Sequence, residues 1–250
     1  MAKLSRRSFL KAAGSASVLP GVIGAVGVAT DAAAEAPNKT AKAGAATSGP
    51  AFFNPHEAAF IEAACARLIP LDELGPGAVE AGVPNYLDKQ LGGAWGAGER
   101  LYRSGPWQAG TPSQGYQLPF TPAELFRNAL RGVEADLKAQ GKVFTTLSGD
   151  DQDDYLKSLE AGGKDLNGVP STLFFQILLG MTVEGYFSDP AYGGNKDMAA
   201  WKMIGFPGAY ASYYDLVDRH GIRITRAPMS LADAPPMEHM HQGPDIPAKL

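Results

Sequence analysis

Thr121-Pro122-Ala123-Glu124-Leu125-Phe126-Arg127-Asn128-Ala129-Leu130-Arg131-Gly132-Val133-Glu134-Ala135-Asp136-Leu137 decides the fold class. Thr121 and Glu124 stand three apart as a capping box, and Pro122 occupies the first helical position, where its missing N–H costs nothing. Phe126, Leu130, Val133 and Leu137 then run down one helical face until Gly141 stops the helix.

The same grammar recurs on both sides. Upstream, Phe53-Asn54-Pro55-His56-Glu57 supplies a staple, an N-cap, a first-turn proline and a closing glutamate, followed by Ile61, Cys65 and Leu68 as a buried stripe that Pro70 ends. Pro84 to Leu91 reads as a short helix stopped by Gly92-Gly93. Downstream, Ser148 with Asp151 caps a helix carrying Tyr155, Leu156 and Leu159, and Pro170 to Glu184 is apolar nearly all round, as a central core helix would be. Asn195 is expected to cap a short helix through Met198, Trp201 and Met203 that Gly205 ends. No alternating β-branched run of useful length appears. The expected fold is mostly α: a single helical domain over residues 52–226 with long irregular glycine- and aromatic-rich loops. The longest, Gly92 to Pro119, holds seven glycines among Trp95, Tyr102, Trp107 and Tyr116, the kind of segment that is usually functional or partner-bound.

The ends differ in kind. Ser5-Arg6-Arg7-Ser8-Phe9-Leu10-Lys11 before a weakly apolar Ala12 to Val28 is the recognition element of twin-arginine export, which carries folded proteins. Pro20 and four glycines interrupt the apolar run, so it reads as a removed signal rather than a membrane span. Ala32-Ala33-Ala34 suits the peptidase, which makes residues 1–34 the signal. Residues 35–51 lack the side chains to bury and are expected to form a tether, and residues 227–250 a Pro/Met/His-containing tail.

Charge and cysteine exclude several classes of function. The chain carries −4, of which the first 34 residues hold +3 through Lys3, Arg6, Arg7, Lys11 and Asp31, so the remainder is −7. An acidic chain without a basic cluster has no footprint for nucleic acid or an anionic membrane surface. Cys65 is the single cysteine, which rules out an internal disulfide and an iron–sulfur cluster held by this chain alone.

Each motif that could carry chemistry fails on its spacing or its surroundings. His56-Glu57-Ala58-Ala59-Phe60 lacks the second histidine of a zinc helix and reads as helix capping. Asp150-Asp151-Gln152-Asp153-Asp154 lacks the glycine and distant glutamate of a calcium loop and reads as an acidic first turn favoured by the helix dipole. His239-Met240-His241 near Met237 offers copper-type ligands without groups to orient them, and His220 reads as the end of a helix rather than a general base. Gly96-Ala97-Gly98 makes no dinucleotide loop, and neither a G-x-S-x-G elbow nor a phosphate-binding loop occurs. No catalytic, cofactor-binding or metal residue is therefore assigned. A cofactor-free helical domain bearing a folded-export signal is best explained as an escort for a cofactor-bearing partner, the alternative being an independent binding or metal-binding protein exported folded.

Two blocks carry a resemblance. The first is Ile69-Pro70-Leu71-Asp72, Gly75-Pro76-Gly77-Ala78, Ala81-Gly82-Val83 and Tyr86-Leu87-Asp88. The second is Phe187-Ser188-Asp189-Pro190-Ala191-Tyr192-Gly193-Gly194-Asn195, Lys196-Asp197-Met198, Trp201-Lys202 and Ile204-Gly205-Phe206-Pro207-Gly208-Ala209. Over about Phe52 to Tyr214 the chain resembles the gluconate 2-dehydrogenase subunit 3 family. The resemblance implies a non-catalytic small subunit beside a large FAD-containing dehydrogenase subunit and a multihaem cytochrome c. FAD and haem c would lie in those partners, and the complex would face the periplasm and be held to the membrane only through them. A surface for the flavin subunit is expected at Trp95, Trp107, Asp189, Pro190, Tyr192, Gly193, Gly194, Asn195, Trp201, Phe206, Pro207 and Gly208, where large aromatics and glycine-rich loops coincide.

Overall fold

The computed structural model describes residues 51–108, 110–210, 214 and 216–233. The export heptapeptide Ser5–Lys11, the tether before residue 51 and His239-Met240-His241 lie outside them. Regular structure among the described residues is helical, with three isolated bridges and no named strand. In chain order the α-helices are α1 (Pro55–Leu68), α2 (Val83–Gly92), α3 (Pro122–Ala139), α4 (Gly149–Ala161), α5 (Ser171–Phe187) and α6 (Ala199–Ile204). Short 3-10 turns are η1 (Pro112–Gln114), η2 (Phe144–Thr146), η3 (Pro190–Tyr192), η4 (Lys196–Met198) and η5 (Leu231–Asp233).

The expected caps are present as hydrogen bonds. Asn54 accepts from the Glu57 amide at 3.0 Å while Glu57 accepts from the Asn54 amide at 2.9 Å. Thr121 and Glu124 reciprocate in the same way, and the Ser148 hydroxyl accepts from the Asp151 amide. At the end of α3, Gly141 sits at φ 68°, and the Lys142 amide reaches back to the Leu137 carbonyl at 2.9 Å, closing the helix.

α5 is the hub against which α1, α2, α3, α4 and α6 all pack. Phe174 and Phe126 bring α5 and α3 together edge-to-face, 5.5 Å between ring centres, and both are wholly buried. Burial of side chains of this size contributes about 1.5–3 kcal/mol each. A second aromatic run, Phe60 to Phe144 to Tyr155, ties α1 and α4 together through η2. Two glycines allow backbones to close up: a Cβ on Gly132 would lie 2.4 Å from the Leu166 Cα, and one on Gly185 would lie 2.6 Å from the Tyr86 ring.

Buried and half-buried polar groups join segments far apart in sequence. Asp88 on α2 accepts the amides of Ala51, Phe52 and Phe53, which anchors the chain as it enters α1. Arg127 on α3 meets both the Glu57 carboxylate and the Phe52 carbonyl. Arg67 and Asp153 form a two-pronged pair, each contact 2.7 Å, between α1 and α4. The Asp136 carboxylate accepts from both the Tyr155 hydroxyl and Lys164.

The irregular stretch after α2 divides in two. Residues 93–99 wind in turns against α2 and the start of α3, with the Gly96 amide donating to Gln90 and the Ala123 amide to Gly96. Gly105–Leu118 belongs to a different compact unit from the helical body. Within it, Thr111 and Gln114 cap η1 reciprocally, and the Trp107 side chain is exposed.

Candidate functional site

The first block makes a doubled-back entry to α2. Beyond α1 the Ala78 amide donates to the Ile69 carbonyl at 2.8 Å, and a Cβ on Gly77 would lie 2.7 Å from the Leu71 amide nitrogen. Gly82, at φ 77°, then turns the chain into α2.

The second block folds as a knot of short turns beyond α5. The buried Asp189 carboxylate accepts from the Ala191 amide (2.9 Å), the Ser230 hydroxyl (2.6 Å) and the Leu231 amide (2.8 Å). Burial alone would raise the Asp189 carboxyl pKa, but these bonds to Ser230, Ala191 and Leu231 outweigh it and hold the carboxyl below the usual aspartate range. Gly194 has no room for a side chain, since a Cβ there would lie 2.1 Å from the Gly185 carbonyl oxygen.

The two blocks meet, although more than a hundred residues separate their closest contacts. The Lys196 amide donates to the Ala81 carbonyl at 3.0 Å, Asn85 donates to the Gly193 carbonyl at 2.8 Å, and the Tyr186 hydroxyl donates to the Pro76 carbonyl at 2.8 Å. They form one joint across α2 and the end of α5.

This geometry sorts the residues expected at the partner surface. Trp95 (46%), Tyr192 (52%) and Phe206 (45%) are well exposed, and Phe206 stands edge-on to Trp201 with 5.0 Å between ring centres. Pro190, Gly193 and Pro207 are half-buried at the rim. Asp189, Gly194, Asn195, Trp201 and Gly208 are buried in the chain's own packing, which corrects their assignment to a surface. Trp201 donates its indole N–H to the Phe187 carbonyl at 2.8 Å and is a core residue of the joint.

Asn195 caps the helix carrying Trp201 and Met203, as expected, but at longer range. It sits at φ 44°, and its side chain reaches five residues ahead to accept from the Ala200 amide while donating to the Ser188 carbonyl. The helix it caps is α6, which begins only at Ala199, after η4. His220 is exposed in a turn, and part of the stretch expected to form the helix before it lies outside the described residues.

Two concavities flank the joint. Tyr86, Gln90, Trp95, Met181 and Glu184 line a recess of about 90 Å³. An open trough of about 400 Å³ runs along α1 over Ala59, Ala63 and Ala66, with Leu71 and Val79 at its side and Glu62 and Glu80 at its edge. Two groups nearby, Tyr86 and Cys65, are held protonated. Burial, then the Glu184 carboxylate, pushes the Tyr86 phenol up, and burial pushes the Cys65 thiol to about 12, against a hydroxyl contact from Thr182. Among the described residues no three His, Cys, Asp or Glu side chains gather as a metal site.

Sequence pattern missed Asp88, Arg127 and Arg67 as organising residues, because each acts on a partner 35 to 86 positions away. Asp88 does sit in the first block, and that membership was the only available signal.

The class defined here is an all-helical domain whose two signature blocks build a packing joint with an exposed aromatic rim. A family model described as gluconate 2-dehydrogenase subunit 3 matches residues 55–208, and the chain belongs to that family. The family's name makes its members one subunit of a multisubunit dehydrogenase. Neither a curated protein nor a solved structure matches the chain.

Proposed function

We propose that this chain is the non-catalytic small subunit of an FAD-dependent dehydrogenase of the gluconate 2-dehydrogenase type, and that it escorts the flavin subunit through twin-arginine export and stabilises it afterwards. The flavin subunit would oxidise gluconate or a related sugar or polyol, and a multihaem cytochrome c would pass the electrons to quinone on the periplasmic side. Membership of the family supports this, as does the Ser5–Lys11 heptapeptide, which gives the chain an address for folded export. The observation that carries it is the rim of Trp95, Tyr192 and Phe206, large aromatics exposed around a rigid joint, where a partner would find anchors that need no reordering.

The test is to delete this chain and fractionate the cell. The flavin subunit is expected to remain in the cytoplasm, and replacing Arg6 and Arg7 with Lys should strand both chains there. Normal export of an active flavin subunit from the deletion strain overturns the escort role and leaves an independent periplasmic binding protein. Flavin, haem, stoichiometric metal or turnover in the purified mature chain alone overturns the non-catalytic assignment.

A further inference from the structure

Glu184 is the only charged residue of α5, a helix otherwise built for the core, and it stands in the last turn. A carboxylate there meets the negative end of the helix dipole and is disfavoured until a cation offsets both. Among the described residues none does. α5 has no basic residue in that turn, and no ion pair reaches Glu184. Lys89, the one basic residue of α2, lies elsewhere: a Cβ on Gly193 would lie 3.0 Å from its Nζ.

The exposed carboxylate borders an aromatic recess. The buried Tyr86 and the half-exposed Trp95 line it with Gln90 and Met181, and the Tyr86 phenol faces Glu184. The turn that carries Trp95 is fixed. The Gly93 and Gly96 amides both donate to the Gln90 carbonyl, at 3.3 and 3.1 Å, and the Gly98 amide donates to the Trp95 carbonyl at 2.9 Å. A Cβ on Gly96 would lie 1.9 Å from the Leu91 carbonyl oxygen, so this turn packs directly on the end of α2. An indole face attracts cations, and one held in place does so without an ordering cost.

Size and charge narrow the occupant. At about 90 Å³ the recess falls well below the roughly 300–1,000 Å³ of a small-molecule pocket, so it has room for one cationic head and not for a sugar or a free cofactor. So small a site holds a cation best when a larger surface presents it. Arginine suits it better than lysine, because a flat guanidinium stacks on the indole and still donates to a carboxylate at its edge, whereas an ammonium is more strongly hydrated. A second copy is disfavoured by charge, since each carries −7 after the signal.

We infer that this recess receives an arginine side chain of the flavin-carrying subunit, stacked on Trp95 and hydrogen-bonded to Glu184. This rests on the function proposed above, which turns the rim containing Trp95 toward that subunit.

The experiment is capture of the flavin subunit on the tagged full chain, alone and with excess N-acetylarginine amide, its uncharged counterpart N-acetylcitrulline amide, or N-acetyllysine amide. Trp95→Ala and Glu184→Lys are each expected to weaken capture about tenfold or more, and adding Glu184→Gln to Trp95→Ala should weaken it little further, because one cation makes both contacts. The arginine compound should weaken wild-type capture and leave that of Glu184→Lys unchanged. Melting of the free chain should hold or rise in Glu184→Lys, which suits the helix dipole better, and a drop of several degrees would show that Glu184 serves the fold and overturn the inference. Wild-type capture that both variants retain overturns it while leaving the escort function standing. Competition as strong from the lysine or citrulline compound overturns the choice of arginine. A wild-type chain that captures no flavin subunit overturns both this inference and the escort. Self-association of the free chain that Glu184→Lys abolishes without loss of capture assigns the recess to a second copy, and also overturns it.

Discussion

Two stretches outside the long helices, Ser188 to Gly208 and Val217 to Pro228, share interruptions by glycine or proline and large apolar residues, although the first also holds the short helix α6. In the structure they are opposites. The first spends its polar groups internally, through Asp189, Asn195 and the Trp201 indole, and packs so closely that Gly194 has no room for a methyl group. The second leaves Val217 through Thr225 in solvent with hardly a bond. Backbone outside the long helices can thus be packed or exposed, and hydrogen-bond satisfaction separates the two where composition does not.

The comparison breaks first at Trp201. Trp201→Ala should lower stability by about 3–5 kcal/mol through core loss and the orphaned Phe187 carbonyl, measured by denaturant unfolding of the free chain. A loss under about 1 kcal/mol would show that the first stretch is not core.

Next comes Asp189 in the first stretch, whose carboxylate clamps Ser230 and Leu231 just beyond the second. Asp189→Ala strips three donors of their acceptor and should cost about 2–3 kcal/mol, with the Leu231 amide losing its protection from hydrogen exchange. Because the folded carboxyl titrates below its unfolded value of about 3.9, the clamp contributes fully above that pH and is lost as the pH falls through the folded value. Protection of the Leu231 amide, compared at pH 6 and near pH 3 after correction for intrinsic exchange, should fall only at the acid end.

Phe206→Ala is expected to cost only about 1 kcal/mol, the value of its edge contact with Trp201, while reducing capture of the flavin subunit about tenfold. If Phe206 and Trp201 cost the same in stability, the boundary between joint and rim is drawn in the wrong place. Ile222→Ser, at the far end of the scale, should stay within about 0.5 kcal/mol in the free chain.

Local rules made much of this fold legible. The capping boxes at Asn54 and Thr121, the stop at Gly141 and the apolar run of α5 all follow from residues within four positions of one another, and all are present. Asn195 was legible as the cap of the helix through Trp201 and Met203, but its reach of five residues across a 3-10 turn lies beyond the standard spacing, so the start of that helix was not. Trp201 was taken for surface because a helix of six residues is too short for periodicity to reveal its direction, and its partner carbonyl lies fourteen residues upstream. The surface itself was half legible: Trp95, Tyr192 and Phe206 are where aromatics in irregular backbone suggested, but which of their neighbours faced inward depended on contacts between blocks over a hundred residues apart.

Asp88 invites a mechanical consequence. Its carboxylate grips three successive amides, Ala51, Phe52 and Phe53, just before the first helix begins. Any tension on the chain ahead of residue 51 is borne there and by Arg127 on the Phe52 carbonyl before it reaches a helix. Asp88 thus works as a strain relief, like the grip where a cable enters its housing: a folded body hauled by its leading end transfers the load to α2 and α3 together, and α1 is not unwound turn by turn.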